Sequence, residues 1–206
     1  MPRRSALARS AHLRSVKRIA ILASGSGSNA QRLIAHFQGS STAEVVLVAG
    51  DRPDAGVFAR AWDLGVPSYR FTPAQLQDGT VLRELRALRV DLVVLAGFLR
   101  LVPTELVQAF QGRMVNIHPA LLPRHGGRGM WGHHVHSAVL AAGDTESGIT
   151  IHRVNEHYDE GEHLFQARCP VLPGDTPETL AARIHELEHA HYPIVVESLV
   201  NSMRHP

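Results

Sequence analysis

Apolar residues in this chain fall into short continuous runs, and between the runs they recur at helical spacing. The first run, Lys17 to Ala23 (K-R-I-A-I-L-A), has the composition of a strand covered on both faces. A turn rich in glycine, Ser24 to Asn29, leads from it into A-Q-R-L-I-A-H-F, whose apolar positions suit a helix. Glu44 to Gly50 predicts a second strand, Ala55 to Leu64 a helix closed by Gly65, and Val66 to Phe71 a weaker third strand. Thr80 to Leu88 is a helix with Leu82, Leu85 and Leu88 on one stripe. Asp91 to Ala96 and Met114 to Ile117 are further strands, with a short helix from Thr104 to Phe110 between them. Downstream, Val135 to Ala142 predicts a helix, Gly148 to Val154 a strand, Asn155 to Gly161 a polar turn, and Leu164 to Val171 a last strand. Thr176 to Val200 is a long helical stretch, capped by Asp175 or Thr176 and kinked or broken at Pro193. Such alternation predicts a single α/β domain on a mostly parallel sheet with helices on both faces. Ligands then gather beyond the carboxyl ends of the strands.

Composition narrows the partners. The 206 residues are 44% hydrophobic, enough for one well-filled core. No apolar run approaches the roughly 18 residues that would cross a bilayer. The formal net charge is +2, yet Arg3, Arg4, Arg9, Arg14, Lys17 and Arg18 sit in an opening segment without Asp or Glu. The remainder is therefore mildly acidic, and no nucleic-acid surface is expected. Residues 1–16 are expected to be a disordered basic extension, whose Arg- and Ser-rich composition also fits a transit peptide; residues 17–206 would form the domain. The one cysteine, Cys169, allows no internal disulfide, suits a buried position in a reducing compartment, and goes with a cytoplasmic location.

Two strand ends carry candidate chemistry. Ser24-Gly25-Ser26-Gly27-Ser28-Asn29 joins a strand to a helix N-terminus, where glycines permit close backbone approach and free amides face an anion. It is not a full G-x-G-x-x-G or a G-x-x-x-x-G-K-[ST], so it suits a phosphate better than a dinucleotide or a nucleoside triphosphate. Val115 to Pro123 (V-N-I-H-P-A-L-L-P) places Asn116 and His118 on one face of an extended segment. Pro119 and Pro123 hold the exit non-helical. An amide beside an imidazole can stabilise a developing oxyanion while the imidazole also handles a proton. Arg124 to His136 is rich in Gly and His. With no Cys or carboxylate among those histidines, a loop folding over a phosphate or ribose is expected rather than a metal site.

Together, S-G-S-G-S-N, L-A-G-F-L-R, N-I-H-P-A-L-L-P, G-I-T-I-H-R-V, Y-D-E-G and E-H-A-H-Y-P closely resemble the phosphoribosylglycinamide formyltransferases, folate-dependent enzymes of purine biosynthesis. The match runs from about Arg18 to Leu199. The resemblance implies a Rossmann-like formyltransferase domain, with Asn116, His118 and Asp159 as catalytic amide, imidazole and carboxylate. It implies that Gly27, Ser28 and Asn29 hold the phosphate of glycinamide ribonucleotide, and that His185, Glu186, Leu187 and Glu188 form the segment holding that substrate. It implies that 10-formyltetrahydrofolate, the cosubstrate, lies against Leu99, Arg100, Leu101 and Val102 and against Asn155, Glu156, His157, Tyr158 and Asp159, beside Asn116. A cis Leu122–Pro123 bond, no metal, no membrane or nucleic-acid partner, and a monomer or homodimer complete the expectation. Three departures stand out: a longer G-G-R-G-M-W-G segment after Pro123, Asp159-Glu160-Gly161 where D-G-G is usual, and no Arg around Thr72 to Asp78 for a folate tail. Rival readings are a formyltetrahydrofolate deformylase, a formyltransferase for another phosphorylated amine, such as a nucleotide-linked amino sugar, and a non-catalytic phosphate-binding module. A methionyl-tRNA formyltransferase would need a second domain for which 206 residues leave no room.

Overall fold

A computed structural model describes residues 16–203; the basic extension expected over residues 1–16 falls, but for Val16, outside the described residues. In chain order the elements are β1 (Lys17–Leu22), α1 (Ser28–Phe37), β2 (Ala43–Gly50), α2 (Val57–Asp63), β3 (Ser68–Arg70), α3 (Pro73–Gln77) and α4 (Thr80–Ala87). Then follow β4 (Leu92–Leu95), α5 (Thr104–Ala109), β5 (Met114–His118), α6 (His133–Ala141), β6 (Glu146–Arg153), β7 (His163–Pro170) and α7 (Pro177–Ser202). The strands form one sheet in the order β3-β2-β1-β4-β5-β6-β7. The first five strands pair in parallel, while β6 and β7 add antiparallel at one edge.

Alternation along each strand divides the core in two. Ile19, Ile21, Val94, Val115 and Ile117 point to one face, where α1, α2, α6 and α7 cover them. Ala20, Leu22, Val93 and Met114 point to the other, where Leu76 of α3, Leu82 and Leu85 of α4 and Leu106 of α5 pack. Because both faces are buried, the central strands read as continuous apolar runs.

Local chemistry explains where the elements depart from expectation. α3 lies in a stretch with too few apolar residues to show a helical period. It exists because Thr72 and Gln75 form a reciprocal capping box with Pro at the helix start. At α7 the cap is Thr176, paired reciprocally with Thr179, while the Asp175 carboxylate binds Arg183. Of the kink or break expected at Pro193, the break does not occur: the 26-residue α7 runs through it. Tyr192, Pro193, Val196 and Val200 are all buried. Burial of that stripe offsets the lost backbone hydrogen bond.

Tyr192 also ties α7 to the sheet. Its hydroxyl, fully enclosed, donates to the Leu95 carbonyl at 2.8 Å, with the Val115 carbonyl 3.4 Å away. These carbonyls belong to β4 and β5, so the bond reaches the strand that carries Asn116 and His118. Tyr192→Phe leaves a buried acceptor without its donor and should cost about 1–2 kcal/mol. In urea titrations the midpoint should fall with an unchanged slope.

Candidate active site

On β5, Met114, Asn116 and His118 share the face opposite to Val115 and Ile117. Asn116 is level with Leu95 at the end of β4, so His118 projects beyond the neighbouring parallel strand. The antiparallel partner β6 sets His152 opposite Asn116 and Thr150 opposite His118. The Thr150 hydroxyl donates to the Ala120 carbonyl at 2.7 Å and accepts from the Leu122 amide at 3.0 Å. This holds the loop after His118, in which the Leu122–Pro123 bond is cis.

Hydrogen bonds assign the protons. His152 Nδ1 lies 2.8 Å from the Arg153 carbonyl and must donate to it, leaving Nε2 to accept from Asn116 Nδ2 at 3.1 Å. The second hydrogen of that amide faces Asp159 Oδ1 at 3.5 Å, a contact at the limit of a hydrogen bond. His118, 3% exposed, donates Nε2–H to the His125 carbonyl at 2.8 Å and turns Nδ1 to Asp159 Oδ2 at 3.4 Å. The sequence reading expects His118 to act as both oxyanion donor and proton handler. Here both its nitrogens are engaged, and the geometry favours the second role. Burial lowers its pKa, opposed by the Asp159 charge and the His125 carbonyl.

Asp159 arrives from the turn after β6 with a positive φ of 58°. The turn folds tightly because Gly161 has no side chain: a Cβ there would lie 1.7 Å from the Arg153 carbonyl oxygen. Glu160, the departure in this turn, is exposed. Asp159 Oδ2 also accepts from the Gly127 amide at 2.9 Å. Burial by itself would raise this carboxyl, but the His152 contact, the His118 charge and the Gly127 amide together hold it below its ordinary value.

The glycine-rich turn lines the same cavity, which has a volume of about 600 Å³. Gly27 begins α1 in the left-handed conformation, φ 80°, and a Cβ there would meet Val57 at 2.6 Å. No side chain caps α1, so its first amides are open to water or an anion. Asn29 Nδ2 donates to Glu188 Oε2 at 2.8 Å, while Asn29 Oδ1 is buried with no partner. Burial raises the Glu188 carboxyl above its ordinary pKa, against the Asn29 hydrogen bond and the His185 charge.

Most of the sequence-predicted residues converge here. Gly27, Ser28, Asn29, Leu99, Arg100, Leu101, Val102, Asn116, His118, Asn155, His157, Tyr158, Asp159, His185 and Glu188 line this one cavity. Glu156, Glu186 and Leu187 do not. On α7 only one helical stripe can face the cavity, and His185 and Glu188, three residues apart, occupy it. Glu186 is turned to solvent, Leu187 packs against the core, and Glu156 is exposed. Arg128, Met130 and Trp131 of the glycine- and histidine-rich segment also line the wall. Among the described residues no cluster of three or more His, Cys, Asp or Glu could hold a metal. Two residues were missed. His152 was visible only as the polar alternate in I-T-I-H, and its partner depends on the sheet register. His136 on α6 is 2% exposed, lines the cavity, and leaves Nδ1 without a partner.

A doubly covered α/β sheet thus carries a glycine-rich turn at one strand end and an amide, an imidazole and a carboxylate at another, all on one cavity. A profile described as formyl transferase matches residues 17–196, and the chain belongs to that family. It is 35% identical to the phosphoribosylglycinamide formyltransferase of Bacillus subtilis, over 90% of this chain and 95% of that protein. It is 43% identical to the chloroplastic enzyme of that name from Arabidopsis thaliana, over 89% of this chain and 65% of the relative. It is also 42% identical to a trifunctional purine biosynthetic protein of Drosophila melanogaster, over 90% of this chain, of which it spans 14%. The glycinamide ribonucleotide transformylase 1 structure from Symbiobacterium toebii superposes with a TM-score of 0.84 at 36% identity, covering 91% of this chain and 89% of that one.

The pH dependence of stability follows from His136. Burial, together with repulsion from His185, His133 and His118, pushes its pKa down to about 4 from 6.5. On acidification the unfolded chain therefore takes up this proton first, and stability falls between about pH 6.5 and 4. The full effect is on the order of 3 kcal/mol. Asp159 acts in the same sense but lower in pH, losing its contribution only as pH falls below the ordinary carboxylate value of 3.8. Urea titrations across this window should show a shallower decline for His136→Gln than for the parent protein.

Proposed function

We propose that residues 17–206 form a phosphoribosylglycinamide formyltransferase domain, which moves the formyl group of 10-formyltetrahydrofolate to the amine of glycinamide ribonucleotide. The reading rests on one observation: the anion loop and the Asn116–His118–Asp159 cluster open into the same cavity, in a chain of the formyl transferase family. Gly27, Ser28 and Asn29 would receive the phosphate, and Glu188 the ribose hydroxyls. Leu99 to Val102 and the Asn155–Asp159 turn would form the folate wall. The acceptor's amine attacks the formyl carbon, and negative charge develops on the formyl oxygen. Asn116 is fit to receive that charge, because its amide hydrogen toward Asp159 is only loosely held at 3.5 Å. His152 fixes which way the amide points by accepting its other hydrogen. The proton leaving the amine can reside on His118 Nδ1, where Asp159 faces it, and pass on to N10 of the departing folate.

The formyl group needs no activation by a metal on this route, and the phosphate serves as a handle, held but not cleaved. No helix among the described residues is long and apolar enough to cross a membrane. A cytoplasmic monomer or homodimer completes the proposal, although the printed name of the Arabidopsis relative places that protein in the chloroplast.

Folate absorbance, followed with and without glycinamide ribonucleotide, tests the reading. Turnover should require the acceptor. Release of tetrahydrofolate without it would mean a deformylase, and none in either case a binding module. In the same assay Asn116→Ala and Asp159→Asn should each lower kcat by roughly 100- to 1000-fold, the range found when one transition-state donor is removed.

A further inference from the structure

The carboxyl ends of β2, β1 and β4 lie side by side, with Leu22 level with both Ala49 and Leu95. Asp51 follows β2 directly and takes no part in the chemistry above. Its side chain is only 2% exposed, and it is not on the cavity wall. One carboxylate oxygen, Oδ1, accepts from the Ser24 hydroxyl at 2.6 Å. That hydroxyl in turn accepts from the Leu99 amide at 3.2 Å. The other oxygen, Oδ2, accepts from Arg100 Nε. A carboxylate taken out of water is costly unless its oxygens are matched by donors. Burial pushes this carboxyl up, yet the Ser24 and Arg100 bonds outweigh it and hold the group ionised.

The network therefore joins two walls of one cavity. Ser24 opens the loop that ends in Gly27–Asn29, and Leu99 and Arg100 belong to the facing segment. The two walls differ in their other supports. The anion loop is held independently by the Val57 amide on the Gly25 carbonyl, by Arg60 on the Ser26 carbonyl, and by Asn29 on Glu188. Leu99 and Arg100 lie outside regular structure; their segment is held at its ends by the Ser24 amide on the Gly97 carbonyl at 3.0 Å and by burial of Val102, and between these by the bonds just described.

We propose that Asp51 is a positioning residue that fixes the Leu99–Val102 wall against the strand ends, and so sets affinity for the formyl donor and not for the phosphorylated acceptor. This rests on the donor-wall reading given above. Asp51 acts through Arg100, whose guanidinium it orients from Nε, and through Ser24, which passes the constraint to the Leu99 amide.

Calorimetric titration of Asp51→Asn with tetrahydrofolate, and separately with glycinamide ribonucleotide, tests this without turnover. The amide keeps shape and volume but loses the charge that holds Arg100. Tetrahydrofolate should bind about 10- to 100-fold more weakly, the range for a lost charge-assisted hydrogen bond, while acceptor affinity stays within about twofold. In a double-mutant cycle with Arg100→Gln the two losses should be strongly non-additive, since both remove one contact. Unchanged folate affinity in Asp51→Asn, equal weakening of both ligands, or additive losses in the cycle would overturn the inference. If Asp51→Asn does not fold, Ser24→Ala carries the test, since it spares the Asp51–Arg100 pair and cuts the link to Leu99. It should weaken tetrahydrofolate severalfold, and unaltered binding overturns the idea. A parent protein that binds both ligands but never transfers a formyl group would instead defeat the proposed function alone.

Discussion

The antiparallel pairing of β5 with β6 is the constraint on which the site depends. Side chains in a strand alternate between faces, so a slip of one residue would send every one of them to the opposite side. With Asn116 opposite His152 and His118 opposite Thr150, all four polar groups share one face. Ile117 and Ile151, also opposite each other, enter the core on the other. The buried isoleucines thus enforce the register that brings the amide to the imidazole. The same register returns the chain to β7 through a turn that places Asp159 against both, a closure that Gly161 alone permits sterically.

Around that register, polar groups removed from water are satisfied in a graded way. Asp159 accepts from the Gly127 amide and, at the limit of a hydrogen bond, from the Asn116 amide, and it faces His118 Nδ1. Glu188 meets one Asn amide and keeps a raised pKa. Asn29 Oδ1 and His136 Nδ1 meet no partner in the protein. Orphaned buried polar atoms are uncommon, and each requires a reason. Asn29 and His136 line the cavity, where a ligand can complete the bonding, whereas Ser147 Oγ and His189 Nε2, also without partners, do not line it.

Much of this was legible in the residues. Continuous apolar runs marked β1, β2 and β4, because strands covered on both faces have no polar alternate. The N-x-H spacing marked a shared face. What stayed hidden depended on pairing between distant segments. Nothing local to His152 says that its Nε2 must accept from Asn116, since that follows from its Nδ1 being used by the Arg153 carbonyl. α3 was missed because its stability lies in a capping box rather than in a stripe. At Pro193, where a kink or a break was expected, the helix is not broken because the buried stripe that α7 lays on the sheet outweighs the local rule about proline. Along the same helix, reading residues 185–188 as a continuous segment obscured that a helix presents only one stripe to a cavity, here His185 and Glu188.

The segment after Pro123 is bound to the reacting groups themselves. His118 Nε2 donates to the His125 carbonyl and Asp159 Oδ2 accepts from the Gly127 amide. His125 is anchored in turn by Asp144, which also binds Arg124. The segment cannot lift away without removing an acceptor from the imidazole and a donor from the carboxylate at once. The first loss makes the charged imidazole harder to form, and the second makes the carboxylate easier to protonate. Both act against a proton resting on His118 Nδ1. Order in the glycine-rich segment and readiness of the His118–Asp159 pair are therefore one property of the structure, because the same two hydrogen bonds carry both.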